Sequence, residues 1–340
     1  MISHEIRRKM TVEMTEKSPA PSSTIPVDGP ASGPIPGAAP KNAPRKAKLG
    51  LALGGGVARG WAHIGALRRL EELGVSPDIL AGTSVGALVG GFWRAGKLDA
   101  LEEWALSLSP TKMLSYVDVV LNGAGLMGGK RLERALLKFL PPTDIEDLPH
   151  EYVAVTAELA TGHEVWLREG KLSDAMMAAY ALPGVFPPRA VHGRWLIDGA
   201  LVNPLPVSPC RAMGARVVIA VGLHADAFNL GVNQRKARFG DLSPSQMRGD
   251  SEPKDGWPRL FQPSASAPGV GTVMLASFNI LMDRVTRSRL AGDPPDVLVT
   301  PQVGHISLLE FDKAAELIAI GRKAVDDARP QIESALEYLG

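Results

Sequence analysis

Twice between residues 48 and 94 a short apolar run ends in glycines and passes straight into a helical pattern, and this doublet constrains the fold more than any other feature. The first unit is Lys48–Leu53 (KLGLAL), the turn Gly54-Gly55-Gly56-Val57-Ala58-Arg59-Gly60, and a helical pattern over Arg59–Leu73. The second is Asp78–Ala81, the turn Gly82-Thr83-Ser84-Val85-Gly86, and a helix over Val85–Arg94. A helix that follows a strand returns the chain to the edge where it began, so such units build parallel sheets. Later runs fit that frame. Tyr152–Glu158 and His163–Leu167 read as strands paired through Thr161-Gly162, and Asp296–Thr300 as another strand. Arg216–Leu223 (RVVIAVGL) is apolar without alternation, the mark of a strand covered on both faces. Asp312–Leu339 reads as a helix in which Pro330 marks a break or kink. The expected fold class is α/β, a central, mostly parallel sheet with helices on both sides.

Two stretches fall outside this alternation. Ser18–Ala47 holds eight prolines among Ala, Ser and Gly and almost no large apolar side chains, so residues 1–47 are expected to be a disordered leader. Residues 225–269, rich in Pro, Ser, Gly and charge, read as a mobile insertion. The catalytic domain is then expected over 48–325, with a C-terminal helix over 326–340. With 37 basic and 36 acidic residues the chain lacks the basic bias of a polyanion binder, so nucleic acid is a poor partner. The single cysteine, Cys210, excludes an internal disulfide framework and fits a reducing compartment. No apolar run has the length of a membrane span, and the N-terminus lacks a signal-peptide core. The expectation is a cytoplasmic protein, open to peripheral contact with a membrane.

The chemistry lies in the two turns and one later acid. A glycine-rich turn at a helix N-terminus presents N–H groups and partial positive charge to an anion, whether a phosphate or an oxyanion. Gly82-Thr83-Ser84-Val85-Gly86 has the G-x-S-x-G form of a nucleophile elbow, whose strained turn holds a serine hydroxyl outward. If the two strands are neighbours, both turns share one sheet edge, and the glycine loop could hold the oxyanion while Ser84 attacks a carbonyl. Ser84 needs a base. Among the histidines, His63 lies on the first helix and suits a packed, hydrogen-bonded role, whereas His305 beside Gly304 is the best candidate for a triad. Trp195-Leu196-Ile197-Asp198-Gly199-Ala200 instead puts an acid at the end of a short strand; taken alone, Asp198 reads better as a turn former or a helix cap than as a base.

Taken together, the glycine loop, the elbow and the later Asp-Gly-Ala resemble the patatin-like phospholipase family. Leu182-Pro183-Gly184-Val185-Phe186-Pro187-Pro188 is similar to the proline-rich stretch the family carries before its aspartate. Val297–Leu309, with Phe311-Asp312, is similar to the bacterial and neuropathy-target-esterase-like branch. The resemblance covers about 48–325, outside the insertion. It implies a three-layer α/β/α sandwich and a Ser84–Asp198 dyad without histidine. It places Gly54, Gly55, Gly56 and Val57 in the oxyanion loop, with Gly55, Gly56 and Val57 at the positions of the N–H donors. It also implies a structural or phosphate-binding part for Arg59, close packing at Gly60, elbow glycines at Gly82 and Gly86, and Gly199-Ala200 completing the aspartate motif. The family often has glycine where this chain has Val57, which keeps the backbone donor but narrows its dihedrals.

The implied substrates are acyl esters of phospholipids or lysophospholipids, with no cofactor and no metal; the oligomeric state is left open. Met113–Leu126 and Val273–Met282 carry large apolar residues that suit an acyl groove, a bilayer contact or ordinary core. Two rival readings stand beside this one. A Ser-His-Asp esterase would use His305. A nucleotide-binding protein would want an acid where Gly82-Thr83-Ser84 stands, and no G-K-[ST] follows the glycine loop. A dyad also makes a physical demand: Asp198 must be partly desolvated to be a useful base.

Overall fold

A computed structural model describes residues 47–115, 130–224 and 270–339. The leader up to residue 46, the insertion 225–269 and the Met113–Leu126 stretch from residue 116 onward lie outside the described residues.

Two-sided burial organises the sheet. In β1 (Lys48–Leu53), Leu49, Leu51 and Leu53 enter one core with α1 (Trp61–Glu72) and α2 (Val85–Arg94). Ala52 enters the opposite core with Val207 and Cys210 of α7 (Val207–Ala212). β7 (Ala215–Val221) alternates likewise, with Val217, Ile219 and Val221 on the first side and Val218 and Ala220 on the second. A strand buried on both faces has no polar positions to show, which explains the continuous apolar runs. β1 lies parallel between β2 (Ile79–Thr83) and β7, β8 (Val297–Val299) extends the sheet beyond β7, and β3 (Glu151–Glu158) extends it beyond β2. β4 (Glu164–Leu167) pairs antiparallel with β3, as does β6 (Arg194–Asp198), which forms a hairpin with β5 (Arg189–Val191). The eight-stranded sheet is mostly parallel, with helices on both sides.

β3 acts as a ruler for the site. Ala154–Ala157 pair with β4 along one edge. The other edge serves β2 up to Thr83↔Val155 and then β6 from Thr156↔Asp198 onward. β2 and β6 therefore meet head to head, and the residue after Thr83 is brought to the end of β6.

The last helix, α9 (Ala314–Glu337), crosses α1 so closely that a methyl on Gly65 would land on Ile318 O, and one on Gly321 on Ala62 O. Pro330 lies inside α9, which continues past it to Glu337, and the division expected at 325/326 falls inside this one helix. α3 (Leu98–Leu106), α5 (Lys130–Leu137) and α6 (Leu172–Ala179) bring buried side chains to the core that α1 and α2 fill, and the half-buried Met113 of α4 (Pro110–Ser115) packs against it. A long helix, α8 (Val270–Gly292), precedes β8.

Candidate active site

Ser84 joins β2 to α2 with φ +56° and ψ −129°. This region is costly for a side-chain-bearing residue, on the order of 1–3 kcal/mol, and survives only where packing dictates it. Here the packing is backbone on backbone. A methyl on Gly86 would strike Leu53 and Gly54 carbonyl atoms, and one on Gly82 would strike the Ala87 backbone. Gly60 admits the Val85 side chain in the same way. The glycines thus press the elbow against the end of β1, with Ser84 at the N-terminus of α2, where the helix dipole favours negative charge.

The head-to-head strands bring Ser84 to Asp198, and Ser84 Oγ donates to Asp198 Oδ2 at 2.6 Å. Asp198 also caps the turn Gly199–Leu201, its Oδ1 accepting the Ala200 N–H at 2.8 Å. Its own N–H donates to Ala181 O at 3.0 Å. Gly199 is required because a methyl there would meet Val155 O. Asp198 is fully buried, and that desolvation pushes its carboxyl up to about 7 against the opposing pull of the Ser84 and Ala200 hydrogen bonds. The carboxyl is thus placed where a weak acid becomes a competent base near neutrality.

In the glycine loop, Gly54 N–H donates to Val221 O at 3.1 Å and Gly55 N–H to Pro204 O at 2.9 Å. Gly55 is thereby removed from the three donors implied by the resemblance: its N–H is spent holding the loop to the turn behind Asp198. It still borders the nucleophile, since a methyl on Gly55 would lie 3.3 Å from Ser84 Cβ. Gly56 and Val57 N–H meet no acceptor among the described residues. Val57 carries a φ of +51°, strained for a β-branched side chain. Arg59 is buried, and its Nε donates to Ile306 O at 2.7 Å while Ala58 N–H donates to Leu308 O at 3.1 Å. These bonds tie the loop to the 306–308 segment, a buttressing geometry.

No histidine hydrogen-bonds Ser84 among the described residues. His63 Nε2 meets Gly54 O at 2.7 Å, and burial lowers its pKa to about 4, the backbone bond opposing, so it is a neutral donor. The side chain of His305 is 58% exposed and pairs with Glu316 at 3.0 Å.

Ser84 opens on an apolar slot lined by Val57, Met113, Leu132, Tyr180, Leu182, Val185, Phe186, Leu309 and Phe311. The Leu182–Pro188 stretch thus supplies slot walls. Tyr180 stacks at a tilt on Phe186, centroids 5.4 Å apart; burial, with the nearby Asp198 charge adding, raises its phenol well above the usual range. Phe278 of α8 packs against the neighbouring cluster of Val57, Leu182, Val185 and Leu308. Sequence reasoning missed Thr83, Asn203 and Pro204. Thr83 Oγ1 donates to Asn203 O at 2.9 Å, which fastens the residue before the nucleophile to the turn after the acid. The only available signal was adjacency to Ser84 and to the Asp-Gly-Ala motif.

The patatin-like phospholipase profile matches residues 51–211. An uncharacterized NTE family protein of Mycobacterium bovis is 32% identical over 333 residues, covering 84% of this chain and 92% of its own length. A lysophospholipase of Neurospora crassa is 28% identical over 81% of this chain, which spans 18% of that protein. Mouse patatin-like phospholipase domain-containing protein 6 is 34% identical over 51% of this chain and 13% of its own length. Among solved structures, VipD from Legionella pneumophila aligns with a TM-score of 0.44 at 12% identity, covering 85% of this chain and 67% of its own. On the profile and the near full-length NTE relative, the chain belongs to the patatin-like phospholipase family of lipid acyl hydrolases, in its NTE branch.

Proposed function

We propose that this protein hydrolyses acyl esters of phospholipids or lysophospholipids through a Ser84–Asp198 dyad and an acyl-enzyme. The observation that carries the reading is the 2.6 Å hydrogen bond from Ser84 Oγ to a fully buried Asp198, at the base of an apolar slot. In this mechanism the Asp198 carboxylate takes the hydroxyl proton as Oγ attacks the ester carbonyl. The tetrahedral oxyanion is held by Gly56 and Val57 N–H, with the N-terminus of α2 adding positive potential. Collapse breaks the ester C–O bond, and the leaving alcohol takes the proton back from Asp198. Water then gives a proton to Asp198, attacks the acyl carbon and releases the fatty acid, and the proton returns to Ser84. Arg59 buttresses the oxyanion loop, and the slot shields one acyl chain from water.

Lipid must reach that slot. Among the described residues no helix is long and apolar enough to cross a membrane. α8 exposes Val273 (46%), Met274 (48%), Ile280 (54%) and Leu281 (42%), and it adjoins the slot walls where Phe278 packs on Leu182 and Val185 and the Met274 methyl approaches Gly184. In this reading α8 rests on the bilayer surface and hands lipid to Ser84.

Fluorophosphonate labelling of wild type, Ser84→Ala, Asp198→Asn and His305→Ala, with turnover of a short-chain aryl ester and of lysophosphatidylcholine, tests the assignment. The dyad predicts no label on Ser84→Ala, no turnover by either dyad variant, and wild-type turnover by His305→Ala. Labelling of Ser84→Ala at the wild-type level would refute the nucleophile, and an inactive, folded His305→Ala would favour a histidine base. Ile280→Asp with Leu281→Asp should weaken vesicle binding and lipid turnover while sparing the soluble aryl ester.

A further inference from the structure

The turn behind Asp198 does more than end a strand. Three consecutive carbonyls fasten three different elements: Val202 O accepts Arg289 Nε of α8 at 3.1 Å, Asn203 O accepts Thr83 Oγ1 at 2.9 Å, and Pro204 O accepts Gly55 N–H at 2.9 Å. The turn therefore touches the long helix, the residue before the nucleophile and the glycine loop together. Its own position depends on Asn203, 1% exposed, whose Nδ2 donates to Glu164 Oε1 at 2.8 Å and to Ser208 Oγ at 3.2 Å. Glu164 also receives Trp166 Nε1 at 2.7 Å and Arg289 Nη2 at 3.0 Å. Its side chain is only 16% exposed, yet it touches no reacting group. A mostly desolvated carboxylate is costly to hold, and removing one partner of such a network leaves the others stranded.

We propose that Glu164 is a positioning residue for the Ser84–Asp198 pair, acting through Asn203 and anchored to α8 by Arg289. The proposal rests on the dyad reading. Glu164 stands opposite Ala157 on β3, next to Thr156, which stands opposite Asp198, so the carboxylate braces the acid-bearing end of β6 and the turn beyond it. When the brace is lost, the turn relaxes and the proton-transfer geometry at Ser84 Oγ loosens, a displacement to which rate is steeply sensitive.

The test uses the full chain and a short-chain aryl ester, which needs no membrane. Glu164→Ala should lower kcat by about 30–100-fold and the isosteric Glu164→Gln by about 10-fold, with KM within about twofold. The midpoint of the kcat–pH profile should also fall toward the ordinary carboxylate range as water reaches Asp198. Arg289→Met should lower kcat less, and the double variant with Glu164→Gln should lose less than the product of the two single effects. Asp327→Asn, which breaks the exposed Lys323–Asp327 pair, should leave kcat and the pH midpoint unchanged. Folded Glu164→Gln with wild-type kcat and pH midpoint would overturn the proposal alone. So would a loss of activity that tracks the unfolded fraction. Failure of wild type to label at Ser84 would overturn the dyad reading and this proposal with it.

Discussion

Two regions of the molecule depend on glycine for opposite ends. At the crossing of α1 and α9, Gly65 and Gly321 let two backbones touch, and the flanking charges Arg69, Glu72, Arg322 and Asp326 form a surface network. Nothing there is strained. At the edge that carries Ser84 the glycines instead press the elbow against the end of β1, where Ser84 and Val57 stand at positive φ and Asp198 is buried. The helix crossing spends its close contact on stability. The edge spends stability on chemistry, because a buried carboxyl and two strained residues all disfavour folding. The lesson is that close backbone packing is neutral in itself, and what it encloses decides whether it stabilises the protein or activates it.

The largest expected effect separates the regions outright. Asp198→Asn should cut kcat by about 10³-fold or more while the protein becomes more stable at pH 8, since an amide carries no buried charge. Thermal unfolding beside turnover checks this, and a variant that loses both would erase the distinction. Next, Gly321→Ala should destabilise by about 3 kcal/mol or more with kcat of the surviving folded protein unchanged, because the new methyl meets backbone rather than a movable side chain. Chemical denaturation with active-site titration measures both parts.

A subtler effect is the pH response of Asp198, whose two consequences run in opposite directions. With a folded pKa near 7 against an unfolded value of 3.8, folding favours the protonated form. Its contribution to stability is fully present below about 4, declines as pH rises from there, and is lost through about 7. In the proposed dyad, activity needs the carboxylate and should rise over the upper part of that window. The gap in Tm between Asp198→Asn and wild type should therefore widen from pH 5 to pH 8 while wild-type kcat increases. A gap that stays constant would mean that Asp198 is not the titrating base. The smallest effect is expected at Val57→Gly. Release of a strained φ and loss of a buried side chain nearly cancel, leaving stability within about 1 kcal/mol and kcat within a few-fold, since the N–H remains. Denaturation midpoints and kcat on the aryl ester test this, and a 100-fold loss would show that the valine side chain itself shapes the oxyanion loop.

Much of this edge was legible before any coordinates. The elbow and the glycine loop announce themselves locally, because a strained turn needs particular residues at particular places, whereas the Asp-Gly-Ala segment gains its meaning only beside them. The KLGLAL and RVVIAVGL runs mark β1 and β7 for the same reason, two-sided burial leaving no polar position. The short helices α4, α5 and α6 have no counterpart in the sequence reading, since one or two turns cannot establish a period. His305 looked eligible beside a glycine in a late loop, and only its place on the surface against Glu316 shows that it does not reach Ser84.

Residue types and local order thus determined the parallel core and the elbow, and the family resemblance supplied Asp198 as the expected acid. The tertiary structure decided who meets whom. The register along β3 brings the end of β6 to the end of β2, Pro204 O engages the Gly55 N–H, and Glu164 and Arg289 reach the turn behind Asp198 from β4 and α8. The physical reason is separation along the chain. A turn's dihedrals depend on its own few residues, whereas the hydrogen bond between Ser84 and Asp198, 114 positions apart, exists only after strand pairing has set the register.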